Sequence, residues 1–392
     1  MTAGQASFLR ERPYMAVAIT HFFVDVLNSG KNLLVAVLAL SIGLTNTQVG
    51  LALLLYNVGS SLSQPLFGWL ADKAGPRWLV IGGMGWMMAF YSVAALAGDW
   101  VALLALTVAG LGSGAFHPTG TMVASQKRQG QRARATAVFF MAGQLGLFAG
   151  PVLTGMLLHA WGRPGYIVLP LLSFMAFLSG WQWLVDRHLQ RETAPKLAAI
   201  TSQKQEARPS GWRLQTVLLA IIIVSVSTVS VAAMSFSPKL FAELGFAEDY
   251  IGWLSGLFML GSAVGGVTGG ALADRIPGKW VIVLGTMGAA LPVYFYIPTP
   301  GLSRFLLLFI AGFFNGMPHS ILIIKVQTLL PNRQALASGL ALGFMFFSGS
   351  IGSSVLGVIA DNVGLGLALQ GTAVLPLIGL LAAISLSQKE QT

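Results

Sequence analysis

"GWLADKAG", residues 68–75, returns as "GALADRIP", residues 270–277, and pairs Asp72 with Asp274 at an offset of 202 residues. The same offset aligns Gly50 with Gly252, Gly59 with Gly261, Gly150 with Gly352 and Gly155 with Gly357. It also lays "AFHPTG" (115–120) on "MPHSIL" (317–322), so that His117 meets His319. The register runs ungapped from the second apolar segment to the fifth. So many glycine and ionisable matches mark a chain in which one half-structure is used twice.

Outward from the repeated motif the sequence is 55% hydrophobic and 9% charged, with a mean hydropathy of +0.74. A helix that crosses a bilayer needs about 20 mostly apolar residues. Twelve such segments are predicted, at 14–40, 47–70, 78–97, 101–125, 135–160, 165–185, 214–238, 250–273, 280–298, 303–327, 335–360 and 365–387. One long polar stretch, rich in Gln, Glu, Lys, Arg and Pro, separates the sixth from the seventh and reads as a linker. The expected organisation is an N-terminal six-helix bundle (1–185), a cytoplasmic linker (186–213) and a C-terminal six-helix bundle (214–392). The expected fold is an all-α membrane protein of 12 transmembrane helices in two six-helix bundles related by pseudo-two-fold symmetry. Its 47 glycines suit closely packed membrane helices.

The net charge of +10 could point to nucleic acid, but its distribution points to topology. With the N-terminus in the cytoplasm, 19 of the 23 Lys and Arg fall on the inner side. Only Arg163, Lys239 and Arg304 fall outside, and Lys31 lies within a span. That asymmetry predicts cytoplasmic termini, with anionic lipid contact as a by-product and no nucleic-acid partner. No cysteine is present, which excludes disulfides and thiolate chemistry. Residues 1–13 are polar without a cleavage pattern, so no cleaved leader is expected. No Walker-type phosphate loop is found, which argues against direct use of ATP. No cofactor and no resident metal are expected.

At this point the sequence resembles the major facilitator superfamily. "GWLADKAGPRW" (68–78) looks like that family's signature between the second and third helices, with Gly68, Asp72, Lys73, Gly75 and Arg77 at the matching places. "GLFAGPVLTG" (146–155) is similar to the fifth-helix signature of its drug-exporting antiporters, through Gly146, Gly150, Pro151 and Gly155. The His-x-x-x-Asp of the first helix and "GLGSGAFHPTG" (110–120) resemble the fosmidomycin-resistance branch of bacterial exporters. The resemblance covers essentially the whole chain. It implies a bacterial inner-membrane carrier, monomeric, in which the first, fourth, seventh and tenth helices line a central cavity. It also implies a gating role for the loop motif, Gly68, Asp72, Lys73 and Arg77, and for Asp274 and Arg275 in its copy. One departure stands out: many proton-coupled exporters carry an arginine in the fourth helix, and Ala102–Ala124 has none.

Within the first span, "HFFVDVLNSGK" (21–31) places ionisable groups among apolar ones. On a helix His21, Asp25, Asn28 and Asn32 fall within about 60° of one another, with Lys31 about 120° from Asp25. Charge inside a membrane is costly and faces a cavity or a partner. Asp25 is the one acidic residue deep within a predicted span, and His21 stands one turn away, so the two are the expected proton-coupling pair. A polar contact that only holds helices together is the bland alternative. Lys31 reads either as snorkelling toward the outer interface or as attracting an anion.

Substrate contacts are expected from Asn28, Lys31, Tyr56, Asn57, His117, Gln144, Asn315 and His319. Ser227 and Ser230 join them as the repeat counterparts of Asp25 and Asn28. Pro118 and Pro318 beside the two histidines predict helix breaks at matching places, a pointer to a binding site. The leading reading is a proton-coupled exporter of a small polar or amphiphilic molecule, such as a phosphonate-type antibiotic, and not an enzyme. Organic-anion uptake by symport is one alternative. Metal transport through His21, Asp25, His117 and His319 is another.

Overall fold

The computed structural model describes residues 11–125, 132–185, 212–329 and 334–387, and all regular structure among them is helical. The helices are α1 (Arg12–Ile42), α2 (Asn46–Leu62), α3 (Gln64–Ala74), α4 (Pro76–Leu96), α5 (Asp99–Ser125), α6 (Arg132–Gly165) and α7 (Val168–Val185). They continue as α8 (Trp212–Glu243), α9 (Glu248–Ala273), α10 (Gly278–Phe295), α11 (Leu302–Gly316), α12 (His319–Leu329), α13 (Gln334–Val363), α14 (Leu365–Gly371) and α15 (Val374–Ile384). Residues 186–211 of the expected linker and the basic stretch 126–131 lie outside the described residues.

Apolar runs of this length become helices because lipid offers the backbone no hydrogen-bond partner. Ten described segments are long and apolar enough to cross a membrane. Joining α2 with α3, and adding the shorter α7, completes the twelve spans expected. Leu66, Trp69, Leu104, Trp161, Met175, Val267 and Leu381 are more than half exposed, on faces that suit lipid.

Helix interruptions depart from expectation in one half. In the second half the chain turns at Met317–Pro318, between α11 and α12, as the proline predicted. In the first half α5 runs straight through Pro118, so the expected matching break is absent. Neighbouring helices can absorb the freed carbonyl of a membrane proline, so proline alone does not dictate a break. A break that no expectation anticipated falls in the second span, at Ser63 between α2 and α3, next to Pro65.

The described chain forms two compact units. One holds residues up to Ile42, Leu55–Val185 and Ala247–Gly252; the other holds Gly43–Leu54, Trp212–Phe246 and the residues from Trp253 on. Each unit therefore takes the opening turns of a helix from the other half of the sequence. The second unit has its own apolar core, built from Ile222, Ile223, Val281, Ile282, Leu322 and Ala383. The repeat extends past the register read from the sequence. Left-handed glycines recur in pairs 202 residues apart, Gly43 (φ 72) with Gly245 (φ 78) and Gly162 (φ 63) with Gly364 (φ 89).

The exchanged segments sit on repeat-related crossings. In the first unit, His159 of α6 lies 3.5 Å from Glu248 at the start of α9. In the second unit, Asp361 of α13 accepts the backbone N–H groups of Asn46 at 2.8 Å and Thr47 at 2.9 Å. Asp361 is thus the cap of α2, a helix whose first N–H groups have no partner of their own. Lys239 of α8 braces the same point, donating to Asn46 Oδ1 at 2.7 Å and to Glu243. Replacing Asp361 by alanine should cost about 1 kcal/mol, the usual worth of a capping side chain. His159→Ala should cost less, since exposed ion pairs contribute roughly 0–1 kcal/mol. Thermal unfolding of the two purified variants in one detergent measures both, and an equal effect would refute the ordering.

Candidate substrate and proton site

The polar stripe on α1 forms as helix geometry requires, and the first unit folds other groups onto it. His21 Nε2 lies 3.2 Å from Asp25 Oδ2. Asn28 donates to Asp25 Oδ1 at 2.9 Å. From α5, His117 Nε2 reaches Asp25 Oδ1 at 3.4 Å. Asp25 and His21 are buried, at 6% and 3% exposure. The carboxylate is therefore held by three groups on two helices.

A second layer fixes the first. His21 Nδ1 lies 2.8 Å from the Phe139 carbonyl of α6, and its ring stacks on Phe139 at 4.0 Å. His117 Nδ1 lies 2.9 Å from the Ser113 carbonyl one turn back. Asn28 also donates to Ser113 Oγ at 3.1 Å and accepts from the Tyr56 hydroxyl, which takes a hydrogen bond from Tyr91 at 3.1 Å. Chains of this kind hold buried polar groups in one arrangement.

Lys31 is buried and does not snorkel, which removes that reading. Its ammonium donates to the Asn28 carbonyl at 2.8 Å and Asn32 Oδ1 at 3.3 Å, and sits 4.2 Å above the Tyr56 ring. As the 120° separation implied, it makes no hydrogen bond to Asp25.

Close approach of α6 to α1 makes this possible. A Cβ on Gly146 would run into the Phe22 carbonyl, and one on Gly143 would strike the His21 ring and Asp25. Gly146 and Gly150 of the expected fifth-helix motif thus face α1. Gly155 and Pro151 face the first turn of α9, at Glu248 and Gly252.

In the second unit Asn315 of α11 donates to Ser230 Oγ of α8 at 2.7 Å and to the Val226 carbonyl at 3.2 Å. At the 202 offset Ser230 is Asn28 and Asn315 is Ser113. The same helix-to-helix hydrogen bond is thus made twice, with amide and hydroxyl exchanged. Of the three ionisable groups only His117 has an ionisable counterpart, His319, for Ile223 and Ser227 stand where His21 and Asp25 would be. Ser227 is half-buried and His319 is exposed at the start of α12.

Asn57 and Gln144 are half-buried in the first unit. Of the motif residues, Gly75 adopts φ 87 to end α3, and Lys73 stacks over Trp69 at 3.9 Å. Gly68 lies 4.0 Å from Pro118, measured from an added Cβ, and Arg77 is half-buried. Asp274 and Arg275 are exposed in the turn after α9. The Asp72 side chain lies outside the described set.

Three of the four groups weighed as metal ligands converge, with ligand atoms of His21, Asp25 and His117 within 4.8 Å of one another. Their nitrogen-to-oxygen separations are 3.2 Å for His21 and 3.4 Å for His117. Sequence reasoning assigned His117 to substrate and missed its tie to Asp25. It also missed Ser113 and Tyr91. Ser113 had one available signal, its place one turn before His117. Tyr91 had none.

A duplicated set of membrane-spanning helices, with a buried polar cluster in one unit and a matching polar contact in the other, is the architecture of a membrane carrier. The chain belongs to the Major Facilitator Superfamily, which it matches over residues 17–246 and 217–391. It is a multi-pass membrane transporter and not an enzyme. It is 29% identical to the fosmidomycin resistance protein of Escherichia coli K12, over 93% of this chain and 90% of that one. It is 26% identical to the uncharacterized MFS-type transporter YfnC of Bacillus subtilis, with the same coverage of 93% and 90%. The class B tetracycline resistance protein of Escherichia coli is 21% identical over 80% of this chain and 79% of that one. Among solved structures, an inward-facing, occupied bacterial homologue of the human lysosomal transporter Spinster superposes with a TM-score of 0.79. It is 14% identical and covers 98% of each chain. The nucleoside transporter NupG superposes at 0.71, with 13% identity over 95% of this chain and 98% of that one. At those identities the likeness is one of fold.

Proposed function

We propose that this transporter is a proton-coupled exporter of a small polar or amphiphilic molecule, with Asp25 as the coupling group and His21 tuning it. The observation that carries the reading is the buried Asp25 carboxylate, contacted by two imidazoles where α5 supplies no arginine. An ionisable group kept inside a membrane is a functional group by default. Two relatives are named for antibiotic resistance, which supports export. The two six-helix bundles, 1–185 and 214–392, joined by the linker 186–213, alternate access as a monomer in a bacterial inner membrane with both termini in the cytoplasm. Lys31, Asn28, Tyr56, Asn57, Gln144, Ser227, Ser230, Asn315 and His319 contribute to substrate contact. Asp72 and Asp274, with Lys73, Arg77 and Arg275, bias the equilibrium between states.

Fosmidomycin, for which one relative is named, is the first cargo to test. Everted membrane vesicles carrying the protein should accumulate it when their interior is acidified, and a protonophore should collapse the uptake. Uptake confined to right-side-out vesicles would instead support symport of an organic anion. Absence of gradient-driven movement in both would reject fosmidomycin as cargo.

A further inference from the structure

The hydrogen bonds around Asp25 dictate where its protons are. A carbonyl oxygen only accepts, so His21 Nδ1 at the Phe139 carbonyl carries hydrogen, and so does His117 Nδ1, whose 2.9 Å contact to the Ser113 carbonyl is shorter than its 3.3 Å contact to the Ser113 hydroxyl. In a neutral imidazole of that tautomer, Nε2 presents a lone pair. Yet each Nε2 faces one oxygen of the same carboxyl group, at 3.2 and 3.4 Å. Lone pair against carboxylate oxygen is acceptor against acceptor. Each contact therefore needs its own proton, and the assembled cluster shares two protons among three groups. Asn28 donates into Asp25 Oδ1, the oxygen that faces His117, which favours a charged oxygen there and the proton on the imidazole.

The two imidazoles differ in freedom. His21 is clamped, with its side chain 3% exposed, its ring stacked on Phe139 and Gly143 pressed against it. The His117 side chain is 29% exposed. Removing the proton from the His117 contact leaves two acceptors facing each other, and His117 is the side that can move away. Lys31 on α1, Tyr56 on α2 and Tyr91 on α4 are the other titratable groups around the cluster. From α6, the Phe139 carbonyl is the group that hydrogen-bonds an imidazole nitrogen.

We infer that His117 is the exchangeable proton carrier of the Asp25 cluster, a positioning and proton-holding residue and not a substrate ligand. This rests on the reading of Asp25 as the coupling group. One proton remains between Asp25 and His21, while the other comes and goes with the His117 contact. Leaving of that proton and opening of the α1–α5 contact are then a single event.

The test counts protons without any substrate. Full-length protein in weakly buffered detergent is moved from about pH 6 to about pH 8, and the protons released are measured with an indicator dye. The range brackets the ordinary titration of histidine. Asp25→Asn and His117→Gln should each release about one proton fewer than wild type. The double variant should also lose about one and not two, because a shared proton is lost only once. Glutamine keeps a donor toward Asp25, and His117→Asn serves as a second replacement if the first lowers the melting temperature. A loss in His117→Gln alone, or losses that add in the double variant, would make His117 an independent histidine and overturn the inference. A loss in Asp25→Asn alone would remove His117 from the proton site and leave the coupling role of Asp25 standing. No loss in either would overturn both.

Discussion

Asp25→Asn should bind substrate and exchange it down a gradient at close to wild-type rates, yet fail to accumulate it when a pH gradient is imposed. The expectation follows from what the amide can and cannot do. Its oxygen still accepts from Asn28, and its N–H₂ donates to the neutral His21 Nε2 that the carboxylate met at 3.2 Å. The contacts to Asn28 and His21 are kept, and the titrating carboxyl group is lost. One pH unit is worth about 1.4 kcal/mol per proton, or about tenfold in concentration. A carrier that moves one proton per cycle should therefore concentrate cargo about tenfold per unit, and the variant about onefold. Uptake into proteoliposomes, with and without an imposed gradient, reads both numbers. Equal accumulation by variant and wild type would reduce Asp25 to a structural contact. His21→Ala should shift the pH optimum and retain coupling, because it removes a neighbour and not the carboxyl group itself.

Gly146→Val should be among the most damaging single substitutions in the chain. A side chain there meets the Phe22 carbonyl, and its first carbon comes to 3.1 Å from the Asp25 Cβ. Neither is the loose end of a flexible side chain, so α6 has to move off α1. Overpacking costs about 1–3 kcal/mol where side chains can yield, and a backbone obstacle sets the cost at the top of that range. The displaced helix also carries the Phe139 carbonyl that orients His21. Activity should thus fall beyond what the lost stability explains. Gly82→Ala is the control: nothing lies within 4 Å of the added carbon, and alanine is favoured over glycine by about 0.5–1 kcal/mol inside a helix. Thermal unfolding should separate the two by several degrees. Similar midpoints would mean that the α1–α6 crossing tolerates a larger spacing.

The fold was legible because its strongest signals are local. Long apolar runs must be helical in lipid, whatever they pack against. The duplication was visible as matched glycines, and several of these take matching places in the structure. Gly50 and Gly155 stand at the repeat-related crossings that also involve Gly357 and Gly252. Prolines were a weaker guide. Pro318 marks a turn and Pro118 does not, although each stands beside one of the paired histidines, Pro118 after His117 and Pro318 before His319. Whether a proline breaks a helix depends on the neighbours that receive its unpaired carbonyl, and those are set by packing.

The candidate site divides along the same line. His21, Asp25 and Asn28 could be placed on one face from their spacing, since 3.6 residues per turn determines who neighbours whom within a helix. The amino-acid sequence by itself also determined that Asp25 would be isolated from other carboxylates in apolar surroundings. Nothing in the local pattern says that α5 crosses α1 at His117, or that Tyr91 closes a hydrogen-bonded chain through Tyr56. Crossing angles and helix neighbours come from the fit of small residues across whole helices, at Gly143, Gly146 and Gly150 above all. Those contacts join residues far apart in the chain, and no period of 3.6 records them. The carboxyl group and its first neighbour were therefore fixed by helix geometry, while the second imidazole, which meets the other carboxyl oxygen, was supplied by the packing of α5 against α1.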